Sequence, residues 1–279
     1  MNHNSSSFKT ADSTTVHTES WLPEGDVRAV VLISHGVAEH IGRYVHVAAR
    51  LVAEGYAVYG LDHRGHGKTG GEPRAYFDTI DQPVDALKQY LDQIKAAQPG
   101  KKIFLYGHSL GSLIALVFTL RHQSELAGLI SSGTPLEAEA SQPALLVALA
   151  GVLNNTIPKV AITPLPTSYL SHDPAEVKKY ETDPLNYHGN VRVRIGNLIL
   201  QNSRMVKARA SELTLPLLMI HGSGDKICPP AGSETLYRGV GSKDKTLKLY
   251  PDLFHEIHNE TAAEQKIVLD DIANWLNHH

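Results

Sequence analysis

Residues 102–122 read as a short apolar run, Lys102 to Tyr106, then Gly107-His108-Ser109-Leu110-Gly111, then a helical pattern from Leu110 to His122. A serine set between a strand and a helix, with glycine two positions before and two after, constrains the chain more than any other feature. Such a turn is sharp enough to hold the serine in a backbone conformation that ordinary residues avoid, and the glycines let neighbouring chain pass close by. The strand-turn-helix step belongs to sheets of mostly parallel strands joined by helices.

The rest of the chain repeats that alternation. Thr14 to Trp21, Ala29 to Ser34 and Tyr56 to Leu61 have strand character, and the second is almost wholly apolar, as in a strand buried on both faces. Ile41, Tyr44, Val45, Ala48, Leu51 and Val52 recur at helical spacing, with Gly55 placed to end that helix. A helix over Asp81 to Gln98 and a strand over Ala127 to Ser131 continue the series. From Pro135 to about Arg209 it stops: Pro143, Pro158, Pro164, Pro166, Pro174 and Pro184 punctuate short helical pieces. It resumes with a strand over Leu215 to His221, a helix over Ala231 to Arg238, a strand over Lys245 to Tyr250 and a helix over Ala262 to Trp275. The expected architecture is an α/β core in two parts, 1–134 and 210–279, with a helical cap inserted at 135–209. The polar start of the chain is expected to fray.

Composition excludes several functions. Acidic and basic residues nearly balance, at a net charge of −3, with no Lys/Arg block to track phosphates, so nucleic acid is not expected as a partner. One cysteine, Cys228, allows neither an intrachain disulfide nor a Cys-rich zinc site. The first residues lack a basic stretch followed by an apolar one, which points to a cytoplasmic protein. The longest apolar stretch, Pro143 to Leu153, has eleven residues, short of the roughly 20 needed to span a bilayer, though enough to lie on one. Nothing in the pattern assigns an oligomeric state.

A serine hydroxyl is a weak nucleophile and needs an imidazole base, which in turn needs a carboxylate to fix its tautomer and stabilise its charged form. Around a turn of this kind the acid and then the base follow the serine in the chain, each on a loop after a strand. Asp225, in HGSGDKICP, and His255, in YPDLFHEIH, satisfy both conditions. Asp252, His258 and His221 lie close enough to compete for the roles. The oxyanion amides are expected at Leu110, opening the helix after Ser109, and at Val37, in Ser34-His35-Gly36-Val37 after the strand from Ala29. Among sixteen histidines, His63, His66, His122, His172 and His188 are expected in loops or at the surface. His63 and His66, in DHRGHGKTGG, read as a polar turn, and neither a metal nor a cofactor is expected.

Taken in order, SHGVAEHIGRY (34–44), DHRGHGKTGGE (62–72), FLYGHSLGS (104–112), YETDPL (180–185), HGSGDKICP (221–229) and KTLKLYPDLFHEIHNE (245–260) resemble the monoacylglycerol lipases and related lysophospholipase-like serine hydrolases. Animal members usually read G-H-S-M-G-G and H-G-A-G-E-H, where this chain has Leu110, Ser112, Val37 and Ala38. The resemblance spans nearly the whole chain and implies an α/β-hydrolase fold, with Ser109, Asp225 and His255 as triad and Val37 and Leu110 at the oxyanion hole. It also implies a polar corner for glycerol hydroxyls formed by Glu39, Arg43, His108, Tyr180 and His258, and sensitivity of Cys228 to thiol reagents. The stripe Ala144, Leu145, Leu146, Val147, Leu149, Val152 and Leu153 would line an acyl tunnel and touch membrane. The expected reaction is hydrolysis of a lipid ester to fatty acid and alcohol, glycerol foremost. A lysophospholipase, a short-chain carboxylesterase or a non-catalytic ligand receptor on the same fold are the alternatives.

Overall fold

The computed structural model describes residues 1–279, the side chain of Ser141 excepted. The chain opens with an antiparallel hairpin, β1 (Asn2–Lys9) and β2 (Thr15–Leu22), in which Phe8 faces Val16 and Lys9 faces Thr15. The start of the chain therefore does not fray. Its strand is exposed nearly throughout, so it carries no buried face for an apolar alternation to report, and backbone pairing with β2 orders it.

Parallel strands follow: β3 (Ala29–Ser34), β4 (Tyr56–Leu61), β5 (Ile103–His108) and β6 (Gly128–Ser132). They are joined by α1 (Val45–Val52), α2 (Asp81–Ala97) and α3 (Leu110–His122). Between β6 and the next sheet strand come α4 (Ala144–Thr156), a small ribbon of β7 (Ala161–Thr163) with β8 (Val191–Arg192), α5 (Pro174–Thr182) and α6 (Val193–Arg209). The sheet is completed by β9 (Leu217–Gly222) and β10 (Lys245–Tyr250), with α7 (Ala231–Gly239) and α8 (Ala262–His278) beside them. Its order is β1-β2-β4-β3-β5-β6-β9-β10, parallel from β4 to β10. This is the α/β-hydrolase arrangement expected from the sequence.

Alternation along β3 shows how the core is built. Val30 and Leu32 face a layer that holds Leu87 and Leu91 of α2, Leu113 and Phe118 of α3, and Ile195 and Val206 of α6. Val31 and Ile33 face the opposite layer, with Val47 and Leu51 of α1 and Ile272 and Leu276 of α8. A strand covered on both faces must be apolar at every position, which is why β3 shows no alternation of polarity. α3 is buried from Leu110 to Thr119 and sets the serine at its N-terminus above the middle of the sheet. Among the described residues no helix is long and apolar enough to cross a membrane.

Candidate active site

Ser109 occupies the junction of β5 and α3 with φ 54° and ψ −122°, a left-handed region that costs a non-glycine residue free energy. Close packing on both sides enforces it. A Cβ at Gly107 would stand 2.5 Å from the Gly111 carbonyl oxygen, and one at Gly111 would collide with the Ser34 carbonyl. The Ser109 amide donates to Ser132 O at 2.9 Å, tying the turn to the end of β6.

Asp225 and His255 come from the loops after β9 and β10, at the same end of the sheet. His255 Nδ1 donates to Asp225 Oδ2 at 2.6 Å. The other carboxylate oxygen accepts from the Ile227 and Cys228 amides at 2.8 and 2.9 Å, so the acid is fixed by its own loop. Burial pushes the Asp225 carboxyl up, but His255 and His221 outweigh it and hold it well below the usual carboxylate range. Burial likewise depresses the His255 imidazole, yet the Asp225 charge leaves it above its ordinary 6.5. An ionised carboxylate only accepts, so the His255 proton sits on Nδ1 and Nε2 is free to take one.

Ser109 shares the cavity lining with the Cys228 thiol, and its hydroxyl makes no hydrogen bond with His255 among the described residues. Burial drives that thiol well above its usual value, which keeps it out of the reactive thiolate form. Neither the Val37 nor the Leu110 amide has an acceptor among the described residues, and Gly36 packs against the Ser109 side chain, with a Cβ there falling 3.3 Å from Ser109 Cβ. Two amides without partners beside a buried serine hydroxyl form the kind of cradle an oxyanion needs.

The other candidates are held differently. His221 also reaches Asp225 Oδ2, at 3.0 Å, but its other nitrogen is held by Ser233 Oγ at 2.7 Å and it lies fully buried behind the acid. The Asp252 amide is bonded to Ser223 Oγ, and no bond joins its carboxylate to His255. His258 is fully buried with Nδ1 3.5 Å from Tyr106 Oη.

The five residues expected around glycerol lie near His255, but none lines the cavity onto which Ser109 opens. His108 stands with its ring centroid 4.8 Å from those of both His255 and His258. Arg43 lies 4.9 Å from the Tyr180 ring centre and pairs with Glu39 at 2.7 Å and with Glu256 at 2.6 Å. Tyr180 lines a separate, smaller pocket. Glu256 is absent from the sequence expectation, and a glutamate beside His255 in FHEIHNE carries no periodic signal that could single it out. His63 and His66 lie in the turn expected of them but not at the surface: both are buried, packed with His35 at centroid distances of 4.4 and 5.4 Å, because that turn follows the interior strand β4 and meets the loop after β3. Burial pushes all three imidazoles down, His35 and His66 to about 3.

The cavity measures 390 Å³ and is walled mainly by apolar side chains, among them Val37, Leu110, Leu146, Val147, Leu153, Ile162 and Ile199. α4 supplies one wall through Leu146, Val147, Ala150 and Leu153, while Leu145, 71% exposed, and Val152, 60% exposed, point away from it. The segment Tyr169–Tyr187 is bonded to the loops that carry His255 and Ala38. The His255 and Glu256 amides donate to Tyr169 O and Leu170 O at 3.2 and 2.8 Å, Glu260 accepts from the His172 amide at 2.8 Å, and the Tyr187 amide donates to Ala38 O at 2.9 Å. By contrast the turns that flank α4 bond to the 191–209 segment, as in Val193 N to Val160 O at 2.9 Å and Arg204 to Glu139 at 2.9 Å.

The family model described as serine aminopeptidase, S33, matches residues 25–262. A monoacylglycerol lipase of Mycolicibacterium smegmatis is 38% identical over 93% of this chain and 91% of its own. The monoglyceride lipase of Homo sapiens is 32% identical over 96% of this chain and 88% of its own. Among solved structures, a soluble variant of the monoglyceride lipase of Saccharomyces cerevisiae, in complex with a substrate analog, superposes with a TM-score of 0.86 at 26% identity, covering 97% of this chain and 94% of that one.

Proposed function

This chain belongs to the serine aminopeptidase S33 family of α/β-hydrolases, and from that premise we propose that it hydrolyses monoacylglycerols to glycerol and free fatty acid. The observation that carries the reading is a strained serine opening onto an apolar cavity of about 390 Å³, in a chain 38% identical to a protein named for that activity. His255 takes the Ser109 proton on Nε2 as the serine attacks the ester carbonyl. The Ser109–His255 hydrogen bond that this transfer needs forms when substrate is bound. Val37 and Leu110 amides hold the oxyanion, the alcohol departs with the proton from His255, and water repeats the sequence on the acyl-enzyme.

We read 135–209 as a cap whose α4 serves two surfaces at once. Its inner residues wall the cavity, and its exposed Leu145, Leu149 and Val152 meet a lipid surface from which substrate is drawn. The test is fatty-acid release from monoacylglycerols of graded chain length, beside lysophospholipids and short p-nitrophenyl esters, for the native chain and for Ser109→Ala. Monoacylglycerols in the lead with an inert alanine variant support the reading. Turnover of short esters alone would reassign the protein as a carboxylesterase, and turnover that survives Ser109→Ala would overturn the mechanism.

A further inference from the structure

We propose that Arg43 is a positioning residue that braces the oxyanion loop against the loop of the general base, through Glu39 on one side and Glu256 on the other. The inference rests on the serine-hydrolase reading of Ser109, His255 and Val37. It replaces, for Glu39 and Arg43, the role of alcohol ligands that the family resemblance implies.

The path is continuous and short. The Gly36 amide donates to Glu39 Oε1 at 2.6 Å, and the Tyr44 hydroxyl donates to the same oxygen at 2.8 Å. Glu39 Oε2 accepts from Arg43 Nη1 at 2.7 Å. Arg43 then grips Glu256 with both forks, Nη1 to Oε1 at 2.7 Å and Nη2 to Oε2 at 2.6 Å, while Asn259 Nδ2 adds a bond to Oε2 at 2.8 Å. Gly36 is one residue from the Val37 amide and Glu256 is one residue from His255, so each end of the brace lies a single peptide unit from a group whose placement the chemistry depends on.

Both oxygens of each carboxylate are engaged by the protein, Glu39 and Glu256 are 2% and 3% exposed, and neither lines the cavity. Those are the marks of a structural clamp and not of a pair waiting for hydroxyls. A bidentate guanidinium–carboxylate contact fixes direction as well as distance, which a lysine ammonium cannot do. The brace also needs its charge: without Arg43, two buried carboxylates would confront each other across the gap between the loops. Burial already pushes the Glu39 carboxyl up, and Glu256 pushes it the same way against the pull of Arg43. The Tyr180 ring packed on the guanidinium, with its hydroxyl 3.3 Å from Ala38 O, closes the cluster on the side of the 135–209 segment.

The test separates a brace from an alcohol ligand by changing only the leaving alcohol. Arg43→Lys and Glu256→Gln are assayed on a monoacylglycerol and on the p-nitrophenyl ester of the same fatty acid, with thermal midpoints measured alongside. A brace predicts that kcat falls on both esters alike, roughly 100-fold for Arg43→Lys and less for the isosteric Glu256→Gln, with KM nearly unchanged. Should Arg43→Lys fail to fold, the same pattern in Glu256→Gln carries the test. A loss confined to the glycerol ester, or one expressed in KM, overturns the brace and restores Arg43 as an alcohol ligand. Native kinetics in both variants also overturns it. A native chain inert toward both esters removes the hydrolase reading and the brace with it, an outcome distinct from the selective loss.

Discussion

Asp225 Oδ2 and His255 Nδ1 stand 2.6 Å apart, and the carboxylate reaches that position with its second oxygen already bonded to two amides of its own loop. The carboxylate is thus held by its own loop as well as by His255. In the proposed triad its role is to decide which imidazole nitrogen carries the proton.

Asp225→Asn preserves the shape of the contact but lets the amide offer N–H where the carboxylate accepted, which favours the wrong tautomer of His255. We expect kcat on a p-nitrophenyl ester to drop on the order of 10³- to 10⁴-fold. A variant that retains a tenth of native turnover would move the acid elsewhere, with Asp252 the first residue to examine.

The activity of the native chain should rise with pH through a single ionisation above 6.5, since His255 works as a base only when neutral and the Asp225 charge, prevailing over burial, raises its pKa beyond that value. The same shift makes a small contribution to folding with the opposite trend. It is fully present below the unfolded-state pKa and is lost as pH rises through the folded one. In Asp225→Asn the residual rate should titrate at lower pH, and an unmoved profile would mean that the observed limb belongs to another group.

Acid should unfold this protein early. His35, His63, His66, His108 and His258 are fully buried with pKa values pushed down, His35, His66 and His258 to about 3. Between those values and about 6.5 the unfolded chain binds protons that the folded one does not, so stability falls as pH falls through that window. Each such histidine adds about 1.4 kcal/mol per pH unit to the slope. Urea midpoints at pH 7, 6 and 5 measure it, and a flat series across that range would show that these imidazoles accept protons without unfolding.

Leu145→Asp with Val152→Asp places charge on the outward face of α4 and leaves its cavity wall intact. Binding to lipid vesicles should fall about 100-fold or more, from roughly 1.5 to 3 kcal/mol for each of the two apolar side chains withdrawn. Turnover of a water-soluble short ester should stay at the native level. Equal vesicle binding by the variant and the native chain would place the lipid contact elsewhere.

The parts of this protein that announce themselves in sequence do so because local chemistry and period coincide. The turn at Ser109 needs glycine at 107 and 111, and β3 needs an apolar residue at every position, so both are written where they act. The pairing of Asp225 with His255 is legible for a different reason: adjacent parallel strands β9 and β10 bring the loops that follow them to the same end of the sheet. β1 lacks any such signature, since a polar edge strand exposed on nearly every residue is defined by its partner alone. Glu256 is hidden by distance, as its partner Arg43 lies 213 residues away. The inward fold of His63 and His66 follows from packing against His35, a contact between segments that no single stretch of chain encodes.

The hydrogen bonds that run from Tyr169, Leu170, His172 and Tyr187 to the loops of His255 and Ala38 divide the segment between β6 and β9 into two kinds of material. The stretch from 136 to 166 hangs on 191–209 and can be treated as an exchangeable cassette, a place to graft a different acyl wall. The stretch from 167 to 188 is chassis: a chimera that replaced it would uncouple His255 and Ala38 from their supports and change the chemistry while meaning only to change the substrate.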